Sequence, residues 1–178
     1  LIDVGDQGSD TFEFLEHEFL SGRRFVIRAY KQRKVSAGHD PTGDRGYLKE
    51  YARELPELGH FTMGVQAQKG RVARKEAKFL VSGGPLLVYP PHAKRGHHGN
   101  QPLALSMVQI TEVTPPAGAE AISWTLLTNE PVSTLEDAWR VTGWYERRWI
   151  IEELHKAQKT GCGIEDMQFC AAQRLEPA

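Results

Sequence analysis

The sequence predicts an α/β fold that carries a β-rich insertion, and three observations support this. Residues 1–5 form a β-branched run, which a helical pattern of apolar residues follows. After Pro56 the pattern changes, and short alternating or β-rich stretches separated by glycine and proline continue to Val113. From Ser133 a long helical pattern extends to about Lys159. Strands and helices in this order are typical of an α/β protein interrupted by an all-β segment.

The first part of the chain predicts two strand–helix units. Glycine ends the first strand, which puts Asp6 just past its end, and Ser9 or Asp10 is expected to cap the following helix. The apolar stripe of that helix comprises Phe12, Leu15, Phe19 and Leu20, before Gly22. Residues 24–29 read as the next strand, and residues 46–55 as a second helix that Pro56 ends.

The rest of the chain divides at the change in pattern. We predict three segments: 1–58 as part of the α/β core, 59–114 as the β-rich insertion, and 115–178 as a core strand and the long helix. Residues 121–128 predict a strand that returns to the main sheet. Ser133 or Thr134, with an acid three residues later, predicts the start of the long helix.

Composition excludes some classes of protein and leaves others open. Hydrophobic residues make up 40% and charged residues 25%, as in ordinary globular domains, and no apolar run is long enough to span a membrane. The two cysteines, Cys162 and Cys170, do not form a zinc or disulfide pattern, which favours a reducing cytoplasm. The chain begins without methionine on a strand-like run, so we expect it to be a piece of a longer protein.

Net charge does not indicate a nucleic-acid partner, but local charge does. The formal charge is -1, whereas residues 23–34 hold six basic residues and no acid, and residues 69–78 are similarly basic. On spacing alone, either run is also typical of a solvated surface. His92, His97 and His98 lie in a loop rich in proline and glycine, where a surface role is favoured over metal ligation.

The strongest chemical pattern lies on the long helix. Tyr145, Arg148, Glu152 and Lys159 fall within an arc of roughly 60° on one face, opposite the apolar residues. A carboxylate can hold a hard divalent cation, and the flanking groups can donate to phosphate oxygens. Geometry alone leaves open a solvated face with ion pairs along the helix.

This spacing, Y-x2-R-x3-E-x6-K, resembles the signature of the insertion-sequence family-four DDE transposases. Asp6 matches the position of the second catalytic aspartate of that family, although Gln7-Gly8-Ser9-Asp10 replaces the usual Arg-Glu-Ala-Asp after it. The similarity extends over nearly all 178 residues, in the same order of segments.

The resemblance implies a ribonuclease-H-like (retroviral-integrase-like) core with an all-β insertion, whose N-terminal strands and first catalytic aspartate are missing from this sequence. It also implies two Mg²⁺ or Mn²⁺ ions held by carboxylates that include Asp6 and Glu152. Such ions catalyse phosphodiester cleavage and strand transfer at transposon ends. Because the first catalytic aspartate is missing from this sequence, we expect this chain alone to be inactive.

The resemblance further assigns DNA contacts. Tyr145, Arg148 and Lys159 would hold the phosphate beside the scissile bond, with Arg28 and Lys31 along the backbone. Trp124 and Trp149 would stack on a flipped base, although a core role is also typical of a tryptophan in an apolar strand. The implied partners are double-stranded DNA, at terminal inverted repeats and at the target, and a second copy of the protein in a bacterial cytoplasm.

Two other classes of protein remain open. A metal-dependent nuclease of the same fold would share the carboxylates but would not need Tyr145 or Lys159. A non-catalytic remnant would at most bind DNA.

Overall fold

The computed structural model describes residues 1–65, 73–92 and 98–148. The chain divides into two compact units, Leu1–Tyr145 and Glu146–Ala178, and the second unit is described only through residue 148. The fold below is therefore that of the first unit.

Its centre is one mixed sheet of eight strands. The strands are β1 (Ile2–Gly5), β2 (Arg24–Arg28), β3 (Lys34–Ala37), β4 (Arg45–Tyr47), β5 (Glu57–Val65), β6 (Arg74–Val88), β7 (Leu103–Glu112) and β8 (Ser123–Thr128). Their order is β1-β2-β8-β7-β6-β3-β4, with β5 paired to β6. Strands β1 and β2 are parallel, and every other pairing among the described residues is antiparallel.

Among the described residues, three α-helices accompany the sheet: α1 (Phe12–Leu20), α2 (Leu48–Glu54) and α3 (Leu135–Glu146). Thr11 caps α1 by accepting a hydrogen bond from the Phe14 amide, and Gly22 follows the helix with a φ of 64°. The predicted capping start of α3 is confirmed, because Thr134 and Asp137 exchange side-chain to backbone hydrogen bonds.

The helices lie on opposite faces of the sheet. Side chains alternate along β2, so that Phe25 and Ile27 join the cluster packed with α1 and α2, while Val26 joins the cluster packed with α3. The result is a three-layer arrangement of helices, sheet and helix.

The predicted α/β class is confirmed at this level, as a mixed fold with a mostly antiparallel sheet. Residues 57–112 supply strands β5, β6 and β7, which belong to the same sheet as β1 and β2. The returning strand within residues 121–128 is β8, which pairs with β2. The ribonuclease-H-like core and a separate inserted subdomain stay predictions.

Two local predictions were wrong. Residues 45–47 form β4, paired with β3, so the second helix begins at Leu48 rather than at residue 46. Asp10 does not cap α1, because its buried carboxylate binds the backbone and side chain of the segment after β2, and Thr11 takes the capping position.

Candidate functional site

Asp6 lies where the sequence predicts it, directly after β1. Its side chain is exposed, and Oδ1 accepts a hydrogen bond of 2.8 Å from the Gly8 amide, which caps the short 3-10 turn Gln7–Ser9. Carboxylate oxygens are also the ligands that Mg²⁺ and Mn²⁺ prefer. The geometry is therefore compatible with both a structural cap and a metal ligand.

Gly5 allows the turn that carries Asp6 to lie against β2. The glycine is buried, and a Cβ built on it would lie 2.6 Å from Ile27 Cδ1 and 2.8 Å from Ser9 Cβ. A larger residue would force the turn away from β2, so the position of Asp6 depends on having glycine at position 5.

The register of the parallel pair relates Asp6 to Arg28. Gly5 is opposite Ile27, and the next residues along the two chain segments, Asp6 and Arg28, follow this pair at the carboxyl ends of the strands. Ile2 and Val4 pack into the cluster under α3, and Leu126, which is opposite Arg28 on β8, belongs to that cluster. Strand alternation therefore favours the α3 face for Asp6 and Arg28.

Tyr145 and Trp124 also lie on the α3 face, and both are core residues. Their ring centroids are 5.6 Å apart in an edge-on arrangement, with exposed fractions of 2% and 8%. This burial accords with the alternative that Trp124 is a core tryptophan. A phosphate contact by Tyr145 and base stacking by Trp124 stay predictions, and both require these rings to become more exposed than they are in this structure.

Three of the six basic residues in the run 23–34 form ion pairs within the fold. Arg24 binds Glu130 through two hydrogen bonds of 2.7 and 3.0 Å, and its guanidinium lies 4.9 Å from the centre of the Trp144 ring. Arg23 lies 3.7 Å from Glu18, and Arg33 pairs with Asp10. The remaining basic residues, to which no ion pair is assigned within the described part of the chain, are Arg28, Lys31 and Lys34.

Asp10 holds the segment that carries Lys31. The carboxylate is fully buried, and Oδ2 accepts hydrogen bonds of 2.7 Å from the amides of both Tyr30 and Lys31, while Oδ1 pairs with Arg33. Burial lowers the pKa of the Arg33 guanidinium, and the charge of Asp10 opposes that shift. Sequence reasoning missed this pair, because nothing in the spacing of residues 10 and 33 signals a contact.

The described residues supply one carboxylate of the expected metal site. Carboxylate oxygens suit Mg²⁺ and Mn²⁺, so the donor chemistry of Asp6 fits these ions. Within residues 1–65, 73–92 and 98–148, no group of three or more histidine, cysteine, aspartate or glutamate side chains could hold a metal ion. His98 packs edge-on against Phe12, with ring centroids 5.1 Å apart, and His92 is exposed.

The other predicted site residues are at or beyond the end of the described chain. Arg148 is the last described residue and belongs to the second unit. Trp149, Glu152 and Lys159 lie outside the described residues, as does His97. The expected approach of Asp6 to Glu152 therefore stays a prediction.

No known family model matches this chain. The resemblance to the DDE transposases consequently remains a hypothesis drawn from the motif and the order of segments. None of the helices in the described part of the chain is long and apolar enough to span a bilayer.

Proposed function

We propose that this chain is part of the catalytic domain of a DNA transposase that cleaves and joins phosphodiester bonds at transposon ends with Mg²⁺ or Mn²⁺. The observation that carries the proposal is the position of Asp6, at the carboxyl end of a parallel strand whose apolar side chains pack under α3. That helix contains Tyr145, the first residue of the signature.

In the proposed mechanism, the protein residues position the metals and the DNA. Asp6 and Glu152 would hold the divalent ions, which, when bound, supply the positive charge that activates the nucleophile and stabilises the leaving oxygen. Arg148 and Lys159 would donate to the phosphate beside the scissile bond, and Arg28 would neutralise a neighbouring phosphate. Cleavage and strand joining then differ only in the nucleophile, water or a DNA 3′-hydroxyl.

Near its start, α3 contacts β5, because a Cβ built on Gly59 would lie 2.9 Å from Leu135 Cδ2. At Tyr145 the helix has reached Trp124 on β8. The strands beyond β8 in the sheet are β2 and then β1, the strand that precedes Asp6. Glu152 lies outside the described residues, and its assignment to the same metal site as Asp6 rests on the resemblance.

We further propose that the chain acts within a longer protein, in the cytoplasm of a bacterium, as one of two copies that bind transposon and target DNA. Two of the three expected carboxylates would hold metal weakly and misplace the nucleophile, which costs about a hundredfold or more in rate. The 178-residue chain by itself should therefore not nick DNA in Mg²⁺ or Mn²⁺.

The test combines metal binding and DNA cleavage. Electron paramagnetic resonance would measure Mn²⁺ binding to the 178-residue chain, and Asp6→Asn and Glu152→Gln should each weaken it by about tenfold or more. Asp44→Asn, a change at an exposed aspartate outside the proposed site, is the matched control and should leave binding unchanged. In the longer gene product, both site variants should abolish end cleavage and strand transfer.

The outcomes separate the proposal from the alternatives. Cleavage without strand transfer would indicate a nuclease of the same fold. DNA binding with no metal dependence and no cleavage in the longer product would indicate a non-catalytic remnant. Nicking by the 178-residue chain that disappears in Glu152→Gln would contradict the need for a third carboxylate.

A further inference from the structure

A groove with basic walls lies on the sheet face opposite α3. Its volume is about 590 Å³, and it runs between α2 and strands β6, β7 and β8. The residues that line it are Ala29, Tyr30, Lys31, Leu48, Lys49, Ala52, Arg53, Leu80, Ser82, Gln109, Thr111, Ser123 and Thr125. Three are cationic, and no carboxylate is found among these lining residues.

The floor of the groove is a connected set of polar side chains. Gln109 Nε2 donates to Ser123 Oγ at 2.9 Å and to Thr111 Oγ1 at 3.2 Å, while Gln109 Oε1 accepts from Thr125 Oγ1 at 2.7 Å. Because Ser123 and Thr111 accept from Gln109, the hydrogen atom of each hydroxyl can donate to a ligand. The floor therefore offers neutral donors between the cationic walls.

Backbone hydrogen bonds join the two segments that carry the cations of the groove. Lys49 N donates to Gln32 Oε1 at 3.1 Å, which joins the start of α2 to the segment that Asp10 holds. Asp10 accepts from the amide of Lys31, so Lys31 and α2 are positioned from two sides. Such pre-positioning lowers the entropy cost of binding a ligand.

The basic and the acidic side chains of α2 differ in their relation to the groove. Lys49 and Arg53 line the groove, whereas Glu50 and Glu54 do not. Two like charges four residues apart weaken an isolated helix, so helix stability does not explain the pair. They lie about 6 Å apart along the helix axis, on the side of α2 that faces the groove.

We propose that this groove binds the phosphate backbone of a DNA segment through Lys31, Lys49, Arg53 and the hydroxyl groups of its floor. Cations, hydroxyls and amides are the groups that contact phosphate and sugar oxygens. Tyr30 and Leu80 also line the groove, so a protein partner is the alternative that the competition experiment below tests. The proposal goes beyond the catalytic role, because the groove and Tyr145 are on opposite faces of the sheet.

The experiment measures binding of the 178-residue chain to a short duplex of random sequence by fluorescence anisotropy, at about 50 and about 200 mM salt. The test variant is Lys49→Glu with Arg53→Glu, two exposed positions. The control is Lys75→Glu, matched to the single variant Lys49→Glu, which changes the net charge equally. Strand alternation puts Lys75 on the other face, because Ala77 joins the cluster under α3.

The groove variant should bind at least about tenfold more weakly at the lower salt concentration. Its salt dependence, the slope of log K against log salt, should be smaller by about 1.8, or 0.9 for each lost phosphate contact. The control variant should retain most of the affinity, and both variants should unfold at the same temperature as the wild type.

Three results would overturn the proposal: no duplex binding by the wild type at low salt, equal binding by the groove variant, or an equal loss in both variants. Anionic vesicles and an acidic peptide serve as competitors, and preferential binding of either by the wild type would assign the groove to that partner instead. Failure here leaves the carboxylate proposal standing, since Asp6 and Glu152 are tested by Mn²⁺ binding.

Discussion

The indole ring of Trp124 packs edge-on against the phenol ring of Tyr145, at a centroid distance of 5.6 Å. This contact joins β8 to α3 within the cluster that also contains Val26 and Ile110. Two residues that are expected to contact DNA are therefore also part of the contact between a helix and the sheet. Substitutions at either position change stability as well as function.

Trp124→Ala should lower the free energy of unfolding by about 3–5 kcal/mol, because it leaves a cavity in a well-packed core. Urea denaturation followed by circular dichroism measures this change. Trp139→Ala is the comparison. Because Trp139 is 46% exposed, this variant should lose less free energy of unfolding. Equal losses in the two variants would argue against a core role for Trp124.

Asp10→Ala should lower the free energy of unfolding by about 3–5 kcal/mol, because Arg33 would be left without its buried partner. The double variant Asp10→Leu with Arg33→Met removes both charges and should lose less than the sum of the two single changes. A double-mutant cycle by urea denaturation gives the coupling. Additive losses would mean that the pair does not interact.

Glu18→Gln should stabilise the protein near neutral pH. Burial, followed by the neighbouring Asp3 carboxyl, raises the pKa of Glu18 above its ordinary value of 4.5, and the charge of Arg23 opposes this shift only in part. The protonated form is therefore favoured in the fold, and the wild type loses stability as pH rises from 4.5 through the raised pKa. Urea denaturation at about pH 4 and about pH 7 should show the gain at the higher pH only. An equal gain in the free energy of unfolding at both pH values would exclude a link to the pKa of Glu18.

Asp137→Asn should weaken the start of α3. Hydrogen bonds, first from the Thr134 hydroxyl and then from the Ser133 amide, lower the pKa of Asp137 to about 2. The wild-type advantage is therefore complete above pH 3.8 and disappears as pH falls through about 2. The loss at neutral pH should be about 0.5–2 kcal/mol, as for other capping residues, and near the lower end because the carboxylate is partly exposed. Thermal unfolding of Glu136→Gln is the control and should show little change.

The elements with strong local signals were predictable from the sequence, and those fixed by distant contacts were not. Gly22 and Thr134 mark helix ends through backbone chemistry that acts within a few residues, and the structure has the helix boundaries there. Asp10 resembles a capping residue locally, but a partner 23 positions away determines its role. The start of α2 was misplaced because pairing with β3 outweighs the helical pattern at residues 45–47.

The candidate site shows the same division. Asp6 was predictable, because a β-branched run followed by glycine locates a strand end. The internal ion pairs of the basic run were not, since Glu130 is 106 positions from Arg24. Charge density in a sequence therefore overstates the surface that remains for DNA, and here only the structure separates the two groups of basic residues.

The hydrogen atom that replaces a side chain at Gly5 has a consequence for sequence variation. Because Ile27 and Ser9 occupy the space that a Cβ would need, this position tolerates change less than its polar neighbours in the turn. Gln7 is exposed and can vary in size and charge without meeting the sheet. A library randomised across residues 5–9 and selected for a folded chain should therefore retain glycine at the first position while Gln7 diversifies. Constraint in this segment would then be strongest at a residue that has no functional group of its own.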